Sequence, residues 1–79
     1  MDWNFRNDQP IYSQLIQRLT EAIVSGVYAP GEKLPSVREL ALEAGVNPNT
    51  VQRSLTELER EGLVFSQRTA GRFVTENEN

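Results

Sequence analysis

The stretch that decides the fold is LPSVRELALEAGVNPNTVQRSLTELEREG, residues 34–62. Its first helix is expected to begin after Ser36. Ser36 and Glu39 match the S-x-x-E capping box, in which each side chain satisfies a backbone N–H that the helix start leaves free. Gly45 ends this helix, since glycine takes the left-handed C-terminal conformation without steric cost. These signals predict a short helix that is bounded at both ends.

A second helix follows after a short turn. Asn47 is a favoured capping residue. Pro48 suits the first helical position, because the backbone N–H at that position makes no hydrogen bond within the helix and proline lacks it at no cost. Gly62 is expected to end this helix. Two capped helices joined by a glycine-containing turn predict a helix-turn-helix, a motif whose second helix usually enters the major groove of DNA.

The spacing of apolar residues assigns two faces to the second helix. The core face holds Val51, Ser54, Leu55 and Leu58. The opposite face holds Asn49, Gln52, Arg53 and Thr56. Side chains of these types can read bases, because Asn and Gln pair with adenine and Arg pairs with guanine. The alternative is a solvated face on which Arg53 pairs with Glu57, but the preceding helix favours base reading.

The composition excludes several classes of protein. The 79 residues suffice for one small domain, and they include no cysteine and no histidine. Disulfides, thiol nucleophiles, the usual general base and the commonest metal ligand are therefore missing. The carboxylates stand in no apolar setting that would raise a pKa, so we expect no enzyme and no metal or cofactor site. Without a long apolar run or a signal peptide, the expected location is the cytoplasm, with no membrane partner.

The charge balance is acidic, with eleven acidic and eight basic residues and a pI of about 4.8. Domains that bind nucleic acid are often basic. Binding depends on the face presented to the phosphates, however. The segment from Lys33 to Arg72 carries six basic and five acidic residues. The acidity therefore lowers the expected affinity for DNA without cancelling the motif.

A first helix is expected over residues 10–25. Pro10 suits its first turn, Asp8 or Gln9 its cap, and Gly26 its end. Its apolar stripe consists of Ile11, Leu15, Leu19 and Ile23, widened by Tyr12, Ile16 and Ala22. Its polar face consists of Gln14, Gln17, Arg18 and Glu21. Such a broad stripe fits a three-helix core rather than a solvated helix.

The segment before this helix, residues 1–9, is expected to be an extended lead-in. Trp3 and Phe5 alternate there with polar neighbours. We expect their rings to pack against the body of the domain or a partner subunit, with stacking on bases as the alternative.

The remaining segments predict turns and strands. Pro30-Gly31 indicates a type II turn, and the following Lys33-Leu34 leaves space for one short strand. Beyond the second helix of the motif the apolar period becomes that of a strand. Strands are expected at 63–67 and 72–75 around a turn at 68–71, and a polar tail or the start of a linker at 76–79.

A hairpin that follows a helix-turn-helix is a wing. Arg68 and Arg72 flank its tip, where they suit contacts with phosphates or the minor groove. The alternative is a hairpin that only closes the core. The predicted fold is thus mainly α with a small β-hairpin: a winged helix-turn-helix of three helices plus wing, spanning residues 10–75.

Six motifs carry a family likeness and span nearly the whole chain in order. They are Pro10-Ile11-Tyr12, Gly26-x-x-x-Pro30-Gly31, Leu34-Pro35-Ser36-x-Arg38-Glu39-Leu40-Ala41, Gly45-Val46-Asn47-Pro48-Asn49-Thr50-Val51, Leu58-Glu59-x-Glu61-Gly62 and Gly71-x-Phe73-Val74. With them the chain resembles the N-terminal winged-helix domain of the GntR family of bacterial transcription regulators, and is most similar to the YtrA subfamily. Thr69 stands where the family usually has glycine, and Pro48 where several subfamilies have arginine.

The resemblance implies which residues contact DNA. Arg38 would contact the DNA backbone, with a base contact as a further option. The major groove would receive Asn47, Asn49, Thr50, Gln52 and Arg53, and the wing contact would consist of Arg68, Gly71 and Arg72. The full expected set is Lys33, Ser36, Arg38, Asn47, Asn49, Thr50, Gln52, Arg53, Arg68, Gly71 and Arg72.

The expected function is sequence-specific binding of double-stranded DNA by a bacterial transcription regulator, expected to be a repressor. The recognition helix would cover about residues 47–61 and the wing residues 68–72. The resemblance implies a homodimer on a two-fold operator, with any effector bound by a C-terminal region absent from these 79 residues. The chain is thus expected to be an isolated domain of a longer regulator. The alternative is a winged-helix module that binds proteins and not DNA.

Overall fold

The structure, a computed structural model, describes residues 3–76, which form three helices and one antiparallel hairpin. The helices are α1 (Ile11–Val24), α2 (Val37–Ala44) and α3 (Pro48–Arg60). The strands are β1 (Val64–Gln67) and β2 (Gly71–Val74), with Val64 opposite Val74 and Gln67 opposite Gly71. Residues 1–2 and 77–79, the start of the expected lead-in and most of the expected tail, lie outside the described residues. The predicted winged helix-turn-helix is confirmed.

The core is built around α3, because α1, α2 and β1 all contact it. Its fully buried apolar side chains include Leu15, Leu19, Leu40, Val51, Leu55, Leu58 and Val74. Full burial of one such side chain is worth about 1.5–3 kcal/mol. The core face predicted for α3 is therefore confirmed, and it fixes which side of that helix faces solvent.

The caps of the helix-turn-helix form as predicted. The Ser36 Oγ accepts a hydrogen bond from the Glu39 N–H at 3.1 Å, and the Glu39 carboxylate accepts one from the Ser36 N–H at 2.8 Å. These bonds lower the pKa of Glu39. Gly45 is left-handed with φ +70°, and the Asn47 Oδ1 accepts a bond from the Asn49 N–H at 2.8 Å.

The start of α1 differs from the prediction. Neither Asp8 nor Gln9 caps the helix: Pro10 occupies the cap position and no side chain bonds there. Gln14, predicted on the polar face, is buried. Its amide accepts from the Arg6 N–H at 2.6 Å and donates to the carbonyls of Arg6 and Gln9. The reason is tertiary, since the lead-in folds back along α1 and its backbone groups need buried partners.

The extended segments also differ in detail. Instead of a short strand, Lys33 forms a single bridge with Phe73, supported by the Leu34 N–H donating to the Arg72 carbonyl at 2.8 Å. The turn at Pro30-Gly31 is as predicted, with Gly31 at φ +81°. The hairpin turn is one residue shorter than predicted, because Gly71 already pairs with Gln67 as the first residue of β2.

Candidate nucleic-acid interface

The outward face of α3 presents the side chains predicted to read bases. Asn49, Gln52, Arg53 and Thr56 are all exposed. Thr50 is partly buried beside them, and its carbonyl accepts a bond from the core-facing Ser54 hydroxyl at 2.9 Å. Asn47 serves the helix itself, because its amide oxygen accepts the capping bond. The side-chain NH₂ of Asn47 makes no hydrogen bond within residues 3–76, so it is left for a base or phosphate.

Arg53 does not pair with Glu57, so the ion pair expected for a solvated face is not formed. The Glu57 carboxylate instead accepts two hydrogen bonds from Arg60, at 2.7 and 3.2 Å, which lower the pKa of Glu57. The Arg53 guanidinium carbon lies 4.1 Å from the centroid of the Tyr12 ring, within cation–π range. The side chain is thus held against α1 by an aromatic ring.

The eight basic residues fall into two groups of four. Arg6, Arg60 and Arg72 form ion pairs, and Arg18 donates to the Asn4 carbonyl. The other four form no ion pair with any residue in the range 3–76 and are exposed: Lys33, Arg38, Arg53 and Arg68. All four belong to the predicted DNA-contacting set. A surface cation without a carboxylate partner keeps its charge for phosphates.

A cleft of about 270 Å³ separates the start of α2 from the wing, and predicted site residues line it. Lys33, Ser36, Gly71 and Arg72 are among them. Gly71 has φ +111°, and a Cβ there would lie 3.1 Å from the Lys33 Cε. The backbone conformation therefore favours glycine, whereas the flexible lysine stem would have to move by only a few tenths of an ångström to admit a Cβ. The N-terminus of α2, the positive end of its helix dipole, adds to the positive charge of Lys33 at this cleft.

The wing tip keeps a glycine-like conformation although it has no glycine there. Thr69 has φ +64°, and it is the only described residue other than glycine with a positive φ. The Ala70 N–H donates to the Gln67 carbonyl at 3.1 Å, which closes a turn of the type II kind around Arg68 and Thr69. Thr69 thus holds a backbone conformation that favours glycine, and the branched threonine side chain makes this conformation strained.

Arg72 fastens the wing to α3. Its Nε donates to the Glu59 carboxylate at 2.8 Å, and both side chains are partly buried. Hydrogen bonds from Arg72 and, to a smaller extent, Ser66 lower the pKa of Glu59. Direct contact of Arg72 with DNA stays a prediction, but its charge is shared with a carboxylate.

Two residues near the interface were missed. Tyr12 was predicted only as part of the apolar stripe of the first helix, and Glu59 only as one of the carboxylates without an apolar setting. Periodicity shows which face of an element a residue occupies, and it does not show which side chain of another element it meets. The one available signal was the opposite charge of Glu59, on the second helix of the motif, and Arg72, on the returning strand of the predicted hairpin.

Other kinds of site find no support within the described residues. Between residues 3 and 76 no cluster of three or more carboxylates could hold a metal ion. None of the helices described is long and apolar enough to cross a membrane.

Comparison with known sequences gives a family and close relatives. The model of the family described as "Bacterial regulatory proteins, gntR family" matches residues 11–74. The chain is 49% identical over 72 residues to the HTH-type transcriptional repressor YtrA of Bacillus subtilis (strain 168), which covers 91% of the chain and 55% of that protein. It is 45% identical over 76 residues to the HTH-type transcriptional regulator YhcF of the same organism, which covers 96% and 63%. The chain spans between about half and two thirds of these relatives.

Solved structures similar to this chain also include GntR regulators. A GntR family transcriptional regulator from Listeria monocytogenes matches with a TM-score of 0.90 and 42% identity, over 94% of this chain and 65% of that one. The DNA-binding domain of AraR, solved in complex with operator ORX1, matches with a TM-score of 0.80 and 30% identity, over 85% and 81%. With its fold, its helix-turn-helix and its relatives in agreement, the chain belongs to the gntR family of bacterial regulatory proteins.

Proposed function

We propose that this domain binds double-stranded operator DNA sequence-specifically, as the DNA-reading part of a bacterial transcription repressor. The observation that carries the proposal is the distribution of unpaired cations. Lys33, Arg38, Arg53 and Arg68 are exposed and form no ion pair among the described residues, and they lie on or next to the elements that a winged helix applies to DNA. A structural neighbour, the DNA-binding domain of AraR, was solved in complex with an operator, which supports binding of operator DNA.

The proposed contacts divide into readout and positioning. In the major groove, Asn49 and Gln52 would pair with adenine, Arg53 would pair with guanine, and Thr50 would contact a base or methyl group. Positioning contacts to phosphates would come from the cations of α2 and the wing and from the polar groups near the helix starts. These are Lys33, Ser36, Arg38, Asn47, Arg68, Gly71 and Arg72.

The regulator as a whole is proposed to be a cytoplasmic homodimer. Each winged helix would read one half-site, so that the two-fold symmetry of the dimer is mirrored in the operator. An effector would bind outside these 79 residues and change the spacing of the two domains. The relatives, which are longer than this chain, leave room for such a region.

The test is a titration of the ¹⁵N-labelled domain with mixed-sequence duplex DNA at low and high salt, followed by selection of a preferred duplex. Amide shifts should be confined to α2, α3 and the wing and should fade with salt. If Lys33, Arg38 and Arg68 meet phosphates, log K should fall with log[salt] at a slope of about −2.7 per domain. No salt-sensitive shift at those amides would refute the proposal.

Substitution of Arg53 tests base reading. Arg53→Ala should weaken binding to the preferred duplex by about 1–3 kcal/mol and relax the preference at one base pair. Arg6→Ala is the matched control, because it removes the same charge from a residue paired with Asp8 on the lead-in. An unchanged base preference in Arg53→Ala would remove Arg53 from the set of base-reading residues.

The alternative function, protein binding without DNA, gains no support. Trp3 and Phe5, the aromatic residues that suggested it, are engaged within the domain. Their rings lie 6.1 Å apart, and the Trp3 Nε1 donates to the Glu43 carboxylate at 2.9 Å.

A further inference from the structure

The contact between Tyr12 and Arg53 joins the first helix to the recognition helix. Tyr12 is the second residue of α1 and is partly buried, whereas Arg53 is exposed on the outward face of α3. The guanidinium carbon lies 4.1 Å from the ring centroid. Because α1 and α3 pack together through the core, the ring is held in place by the fold and not by the arginine.

This contact leaves the hydrogen-bonding capacity of Arg53 unused. A cation above a ring is attracted by the π face without forming a conventional hydrogen bond to oxygen or nitrogen. Arg53 makes no hydrogen bond to any residue between 3 and 76. All five of its donors are therefore available to the O6 and N7 atoms of a guanine. The side chain has lost part of its rotamer freedom before DNA arrives, and that freedom is large for arginine.

We propose that Tyr12 is a positioning residue for base recognition, whose ring holds Arg53 ready for a guanine in the major groove. The proposal rests on the proposed DNA-binding function. Preorganisation of a side chain raises affinity by lowering the entropy lost on binding. Tyr12 is not a cation that could neutralise a phosphate, so its substitution should affect binding to the preferred duplex and leave the salt-dependent, sequence-independent part of the binding free energy unchanged.

The contact itself can be tested in the free domain. Protons above an aromatic ring are shifted upfield by its ring current, so the Arg53 Hδ signals should lie upfield in the wild type. Tyr12→Phe keeps a ring and should keep the shift. Tyr12→Leu keeps much of the apolar volume without a ring, and its Arg53 Hδ signals should return to ordinary values. Thermal unfolding of each variant reports whether the domain stays folded.

Binding is then measured for the same variants with two probes: the duplex selected by the wild type and a mixed-sequence duplex. Tyr12→Leu should lose about two- to fivefold in affinity for the selected duplex, the range expected for an exposed cation–π contact. Its affinity for mixed-sequence DNA and its salt slope should be unchanged. Tyr12→Phe should bind both probes within about twofold of the wild type, the resolution of such assays.

A double-mutant cycle separates positioning from direct contact. In the Arg53→Ala background, Tyr12→Leu should have no further effect on the selected duplex. An equal loss in both backgrounds, or a loss in Tyr12→Phe as large as in Tyr12→Leu, would overturn the proposal. If the wild-type domain binds neither duplex, the proposed function itself is refuted. The role of Tyr12 in base reading then falls with it, even if the chemical shifts of Arg53 show the ring contact.

Discussion

The wing tip offers the sharpest test of the structural reasoning. Thr69 holds a left-handed conformation, with φ +64°, at the position where a type II turn demands φ above zero. A threonine carries a branched Cβ, which crowds the backbone in this conformation, whereas glycine has no Cβ to crowd. Replacing Thr69 by glycine should therefore stabilise the domain, which is unusual for a glycine substitution.

The magnitude follows from two opposing terms. Relief of the left-handed strain is worth about 1–2 kcal/mol. The glycine also gives the unfolded chain more freedom, which opposes folding by about 0.4–1 kcal/mol. Thr69 is exposed, so little burial is lost. The net gain should be about 1 kcal/mol, which for a domain of this size corresponds to a rise in Tm of about 4–8 °C.

The assay is thermal and urea unfolding followed by circular dichroism. Ala70→Gly is the matched control: Ala70 is the next residue in the same turn, but its φ is not positive. Glycine there brings only the entropic penalty, so this variant should be less stable than the wild type by about 0.5–1 kcal/mol. The two variants should thus shift the unfolding midpoint in opposite directions.

The reasoning is refuted if Thr69→Gly is no more stable than the wild type. A loss of stability equal to that of Ala70→Gly would mean that Thr69 carries no strain in solution. The wing would then have a different turn, and the placement of Arg68 at its tip would fall with it.

Three further predictions concern the lead-in, the anchor of the wing and the phosphate contacts. Gln14→Ala should lower stability by about 1–3 kcal/mol in urea unfolding, because the lead-in backbone loses buried partners, whereas Gln17→Ala on the exposed face should change stability by less than about 0.5 kcal/mol. Glu59→Gln should lower stability at neutral pH by up to about 1 kcal/mol. Because the folded-state pKa of Glu59 is lowered, the stabilisation by the ion pair is present above the ordinary pKa of about 4.3 and is lost as pH falls through the folded-state pKa. The difference in free energy of unfolding between wild type and Glu59→Gln should therefore become smaller on acidification, and a constant difference would contradict the ion pair. Arg38→Ala should weaken binding to all duplexes alike and flatten the salt slope by about 0.9. Arg72→Ala should reduce the salt slope by less than about 0.9, since the Arg72 guanidinium is paired with Glu59. A reduction as large as that in Arg38→Ala would show that Arg72 neutralises a whole phosphate charge.

Local signals in the sequence predicted the helix-turn-helix with its caps. The Ser36–Glu39 box, the left-handed Gly45 and the Asn47 cap each involve residues within three positions of one another, so short-range geometry decides them. The core face of α3 was equally predictable, because a helical period leaves no choice once Val51 and Leu55 must be buried. The outward face of α3, which is part of the candidate site, could therefore be predicted from the sequence. The contacts of that site with DNA stay predictions.

Two of the predictions that failed involve contacts between different segments of the chain. Gln14 is buried because the lead-in returns along α1, and Glu59 meets Arg72 because the hairpin folds back onto α3. Nothing in the spacing of either residue distinguishes it from a solvated side chain.

By itself, then, the sequence determined the fold, the recognition helix and the identity of the residues on its outward face, since caps and periodicity act within a few residues. The tertiary structure alone decided which cations are free, that Arg53 rests on Tyr12 and that Arg72 is tied to Glu59. The physical reason is that charge pairing and ring contacts depend on distances of a few ångströms between elements. Those distances exist only after the core has packed.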